Sequence, residues 1–128
     1  MSRVTLAHIA IFAKDEEGFG FGAELLDEAM EVYHIWSLWL PYEEYPSQRQ
    51  VLSRLIPVIL AEVPEQYSDV TFTSTLNHFK LREELIRKNI PFARGKTIDF
   101  RRVPRIRHWS VSLAIDALER RNSIEEKL

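Results

Sequence analysis

The sequence has no cysteine. Disulfides, thiolate metal sites and cysteine nucleophiles are therefore excluded, and a reducing, cytoplasmic location is expected. It also lacks a membrane-length apolar run. The apolar stretch 4–13 falls well short of the ~20 residues a spanning helix needs. Asp15, Glu16 and Glu17 follow it instead of a small-residue cleavage pattern, so no membrane contact is expected. Glycine is scarce: there are four in the chain, and Gly18, Gly20 and Gly22 fall close together. That run is neither GxGxxG nor a P-loop. No Lys follows it, and the flanking acids repel phosphate. It reads as a turn that docks Phe19 and Phe21 on the core.

The usual signatures of catalysis are missing too. There is no Gly-x-Ser-x-Gly elbow. The four histidines, His8, His34, His78 and His108, share no ligand spacing. Glu31-x-x-His34 has no second copy of the kind a di-iron bundle requires. The passage from Asn89 to Asp99 resembles the helix-to-strand entry of small nuclease cores, but no Glu-x-Lys follows Asp99. The expectation is a non-enzymatic protein with no metal and no cofactor.

What is present is enough for one globular domain. The chain has 128 residues, 45% of them hydrophobic, which supplies a core and excludes intrinsic disorder. A single domain over 1–122 is expected, with 123–128 as a frayed tail. The β-branched residues of 3–13 favour a buried strand, and a buried helix fits that short run almost as well. Residues 23–40 read as a long helix, because Leu25, Ala29, Val32, Trp36 and Trp39 share one helical face. A helix over 47–63 carries a Pro57 kink, and another spans 75–88. Residues 65–74 are a loop or short strand. Residues 90–103 alternate around the turn at Arg94–Lys96 and suit a β-hairpin. A final helix covers 105–121. The predicted class is α+β and mostly helical, with four or five helices and one short wing-like hairpin near 90–103. In outline this plan resembles winged-helix modules.

Charge is divided unequally. Residues 1–65 carry four basic and eleven acidic side chains; residues 66–128 carry thirteen and eight. On the 75–88 helix the i,i+4 pairs account for much of the positive charge. The later stretch is different: Arg94, Lys96, Arg101, Arg102, Arg105 and Arg107 face one acid, Asp99. Arginine suits bidentate phosphate contact, and such a surface making ~4–6 phosphate contacts gives a salt slope of about −4 to −5. These six are the candidate nucleic-acid-binding residues (DNA or RNA), with Phe100 or Trp109 as stacking partners. The alternative is a protein-interaction module such as an inhibitor, immunity or adaptor protein. It would act through an acidic helical stripe of Glu24, Asp27, Glu28, Glu31, Glu43 and Glu44, meeting a charged protein partner or a second copy head to tail. The bland readings are a solvated basic face and an ordinary wet helix face.

Overall fold

The alternation of glycine and phenylalanine at 18–22 has a sheet period, and the computed structural model, which describes residues 2–105 and 109–128, places it in a strand. Eleven residues of β1 (Val4–Lys14) turn into β2 (Gly18–Leu26), which turns into β3 (Val32–Pro41). Helix α1 (Gln48–Ala61) then crosses to β4 (Asp69–Ser74). A 3₁₀ turn at Asn77–Lys80, helix α2 (Arg82–Asn89) and a second 3₁₀ turn at Ile90–Phe92 lead to β5 (Thr97–Arg102). Helix α3 (Trp109–Arg120) and a short β6 (Ile124–Lys127) complete the chain. The six strands form one sheet in the order β5-β4-β1-β2-β3-β6. β1, β4 and β5 are parallel; β2, β3 and β6 are antiparallel to their neighbours.

This mixed α/β sheet corrects the mostly helical expectation. Among the described residues there are three α-helices and no hairpin at 90–103, where a 3₁₀ turn and the single strand β5 stand instead. The long helix expected over 23–40 is the end of β2, a turn and β3. Asp27 makes the turn: its Oδ1 accepts from the backbone N–H of Ala29 and Glu31, and Met30 takes a positive φ of 62°. Both faces of β3 are covered, so its apolar residues run almost continuously and imitate a helical stripe. Residues 124–127 do not fray; they pair with His34–Ser37 of β3. Pro57 lies inside α1 without ending it, and Ser47 caps that helix by accepting from Gln50 N–H.

Two layers of helix cover the sheet. On one face α1 buries Val51, Leu52, Leu55, Ile56, Ile59 and Leu60 against Ala7, Ile9, Phe21, Leu25 and Phe72. The stacked pair Phe72–Phe100 extends this core under β4 and β5. On the other face α3 lies so close to β2 that a Cβ on Gly22 would sit 1.8 Å from Ser110 O, and one on Gly20 2.1 Å from Ala114 O. Phe19 and Phe21 point the opposite way, into the α1 core. The Gly/Phe alternation thus gives one flat face for a helix and one bulky face for a core. Ser37 fixes α3 further, donating to Leu113 O at 2.6 Å and accepting from Arg120 at 2.7 Å.

The buried edge of β3 yields an alkaline prediction. Thr5 Oγ1 donates to Leu26 O, so it accepts from the Tyr33 hydroxyl at 2.7 Å. Burial pushes the Tyr33 phenol up to about 12. A raised folded pKa contributes stability that is fully present below the ordinary value of about 10 and is lost as pH rises through about 12. Burial pushes the Tyr67 phenol up as well, so the late phase of phenolate absorbance holds more than one ring; Tyr33→Phe should remove one phenol from it together with part of the stability loss between those pH values. A titration in which that variant keeps the full amplitude of the late phase contradicts the assignment.

Candidate nucleic-acid interface

In open α/β sheets, ligand sites form at the carboxyl ends of parallel strands where the topology changes direction. Here β1 is that place: it is parallel to β4 and antiparallel to β2. On the α3 face, Arg101, Thr73, His8 and Glu24 form one row across β5, β4, β1 and β2. α3 packs on β2, β3 and β1, while β5 is contacted by α2, whose Arg82 bonds Asp99. Thr71 and Thr73 of β4 are half-buried and Arg101 is exposed.

His8 and Glu24 make a buried pair. His8 Nδ1 lies 3.1 Å from Glu24 Oε1, with side-chain exposures of 11% and 1%. The strand register puts them side by side, and the carboxylate holds the ring in one orientation. They line an open cavity of ≈ 630 Å³ whose other walls include Met30, Glu31 and Trp109. Trp109, at the start of α3, is 59% exposed. Phe100, the other expected stacking residue, is fully buried in the α1-side core.

The six basic candidates divide into two groups and one outlier. Arg101 is exposed and donates to Asp99 Oδ2 at 3.2 Å; Arg102 and Arg105 are exposed at and beyond the carboxyl end of β5. Asp99 also accepts from Arg82 and from the Phe100 amide. Burial pushes its carboxyl up, but these hydrogen bonds outweigh burial and hold it below the ordinary range. Arg94 and Lys96 do other work. Arg94 donates to the carbonyls of Leu60 and Val63, and Lys96 to those of Pro64 and Tyr67. Both tie down carbonyls around the end of α1, two of which, Leu60 O and Pro64 O, also accept from the backbone N–H of Val63 and Tyr67. Six residues of strand at ~3.3 Å each put Lys96 about 20 Å from Arg102. Arg107 lies outside the described residues.

Arg94 and Lys96 therefore belong to stability. Arg94→Ala takes the side-chain donor from part-buried Val63 O, and from Leu60 O, which keeps the Val63 N–H; it is expected to cost about 1–3 kcal/mol. Affinity for nucleic acid should stay within about twofold, since those cations are already engaged. Chemical denaturation and a binding isotherm on the same variant separate the two effects; a large loss of affinity with intact stability would overturn the placement.

The acidic stripe of the alternative reading does not exist as a helix face. Glu24 is buried beside His8, and Asp27 forms the β2–β3 turn. Glu28 is paired with Arg3 at 2.6 Å. Glu31 is exposed before β3, and Glu43 and Glu44 lie in the turn that follows it. Sequence reasoning missed the pairing of His8 with Glu24. Its only signal was one polar residue centred in each of two apolar runs.

No protein-family model and no curated relative matches the chain. Two solved structures do. The crystal structure of LC11-RNase H1 in complex with an RNA/DNA hybrid has a TM-score of 0.59 at 15% identity, covering 91% of this chain and 98% of that one. The crystal structure of RNase H1 from the halophilic archaeon Halobacterium salinarum has a TM-score of 0.55 at 14% identity, with the same coverages of 91% and 98%. The fold is RNase H-like α/β. Both similar structures are of ribonucleases, a finding that stands against the expectation of a non-enzymatic protein. No helix among the described residues is long and apolar enough to cross a membrane.

Proposed function

We propose that the protein acts on nucleic acid, binding an RNA-containing duplex across the carboxyl ends of β1, β4 and β5 and cleaving its phosphodiester backbone. Arg101, Arg102 and Arg105 contact phosphates. Trp109 offers a ring for an exposed base. Support for an RNA-containing duplex comes from the hybrid held by the structurally similar LC11 enzyme. The observation that carries the proposal is the row in which Arg101 lies in register with the buried His8–Glu24 pair.

Two-metal nucleases hold their ions with converging carboxylates. On this face Glu24 and Glu31 both line the His8 cavity, but no three described histidine or carboxylate groups there bring ligand atoms within 4.8 Å of one another. Glu24 is bonded to His8, and Asp99 to Arg82 and Arg101. The strands β1 and β4 and helix α1 contribute a single acid, Asp69, at the amino end of β4. This set does not fit a metal pair. The proton work falls to His8, with Glu24 orienting its ring.

His8→Gln should lower cleavage of an end-labelled RNA/DNA hybrid by about 100-fold or more. Glu24→Gln should lower it by about tenfold, through loss of ring orientation. Both should bind the hybrid as the natural chain does. Thermal melts establish that each variant is folded. Undiminished cleavage by folded His8→Gln sinks the catalytic half of the proposal, and a natural chain that binds without cleaving sinks it equally.

A further inference from the structure

The opposite face of the sheet carries a cluster that the nucleic-acid reading does not use. His34 on β3, Glu62 at the C-cap of α1 and Glu125 on β6 each place a ligand atom within 4.8 Å of the other two. Elsewhere in the chain these residues are far apart in sequence, which is why ligand spacing did not reveal them. We infer that they form a divalent-cation site of the zinc class that clips β6 to β3 and to the end of α1.

Three observations support this. First, the donor set is one imidazole nitrogen and two carboxylate oxygens, which suits zinc and leaves a fourth position for water. His34 Nε2 lies 2.7 Å from Glu125 Oε2. The side chain of His34 is 3% exposed and that of Glu125 45%, so the site is anchored at the sheet and open at its rim.

Second, His34 is a buried polar group with incomplete satisfaction. Its Nδ1 has no hydrogen-bond partner, and the ring is held by stacking on Trp36, with centroids 4.1 Å apart and planes 4° from parallel. A ring fixed this way keeps Nε2 directed at the carboxylates without help from Nδ1.

Third, the two carboxylates are poorly compensated. Among the described residues Glu62 has no side-chain hydrogen bond or ion pair, and it stands at the negative end of the α1 dipole, close to Glu125. A cation there relieves repulsion between Glu62 and Glu125, of which Glu125 alone has a described partner, His34. Tetrahedral zinc with bonds of about 2.0–2.2 Å draws its ligand atoms to ~3.3 Å apart. The flexible Glu62 and Glu125 side chains can close that distance by rotation while His34 stays in place.

The test uses zinc chloride and the full chain, freed of metal by chelation. Calorimetry should show one zinc bound per chain, with affinity falling at least ~10-fold in Glu62→Gln and in Glu125→Gln. Zinc at about 100 times its Kd should raise the melting temperature by about 10 °C in the natural chain and much less in either variant. Amide exchange across 124–127 should slow on zinc addition. Glu62→Gln is the decisive variant, since Glu62 takes no part in strand pairing or side-chain bonding and its loss leaves the fold unchanged. Absence of zinc binding in the natural chain, or binding of equal strength in Glu62→Gln, overturns the site. Neither outcome bears on nucleic-acid binding by the other face.

Discussion

Gly22→Ala is expected to cost about 3 kcal/mol or more, lowering the melting temperature by roughly 10 °C. The reason is contact between two backbones. The added Cβ meets Ser110 O at 1.8 Å and Ala114 N at 2.7 Å, and neither atom is the end of a flexible side chain. The only relief is to lift α3 from β2. Lifting α3 also strains the bonds that Ser37 makes to Leu113 and Arg120. Gly20→Ala should behave similarly, because its Cβ meets Ala114 O at 2.1 Å. Gly95→Ala is the control. Its Cβ meets nothing within 4 Å, and its cost comes only from a φ of +79°, about 1 kcal/mol. Thermal denaturation of the three variants checks the order. Equal, small effects at Gly22 and Gly95 would contradict the close packing of α3.

The second large effect concerns charge. Arg101→Glu with Arg102→Glu should weaken binding to an RNA/DNA hybrid by more than ~10-fold and reduce the salt slope by about 2. Both side chains are exposed, and neither is in the core, so stability should change little. Reversal also frees Asp99 from one of its two arginine partners while Arg82 remains. Fluorescence anisotropy at several salt concentrations reads affinity and slope together. An unchanged slope would place the duplex elsewhere on the molecule.

The legibility of the fold varied with the element. α1 was readable because Ser47 is a strong cap and the apolar positions 51, 52, 55 and 59 repeat at helical spacing. For β1 the sequence suits strand and helix almost equally, since a strand buried on both sides shows no alternation. β3 was misread for the same reason. Its residues Val32–Trp39 are rich in aromatic and β-branched side chains, and that composition was the available sign of a strand. The glycines of 18–22 were read as a turn, although their strict alternation with phenylalanine has a period of two. What mattered was α3, about 90 residues later, and no local rule discloses that partner.

The candidate site was legible in part. The arginine excess after Asp99 is visible in the sequence, and Arg101, Arg102 and Arg105 are exposed at and beyond the carboxyl end of β5. Arg94 and Lys96 looked equivalent in sequence, yet their partners are carbonyls from residues 60–67, set by tertiary packing. Glu24 seemed a member of an acidic stripe because a helix was assumed beneath it. Once residues 18–26 are a strand, Glu24 turns to the side of His8, and the stripe dissolves.

The most direct measurement of the central claim is equilibrium binding of one labelled RNA/DNA hybrid and one DNA duplex of the same sequence, across a range of salt. The account predicts tighter binding to the hybrid. It also predicts a slope near −3 from the three described arginines at the strand ends, at about 0.9 per phosphate contact. A chain that binds neither duplex at low salt, or binds both with a slope near zero, would contradict it.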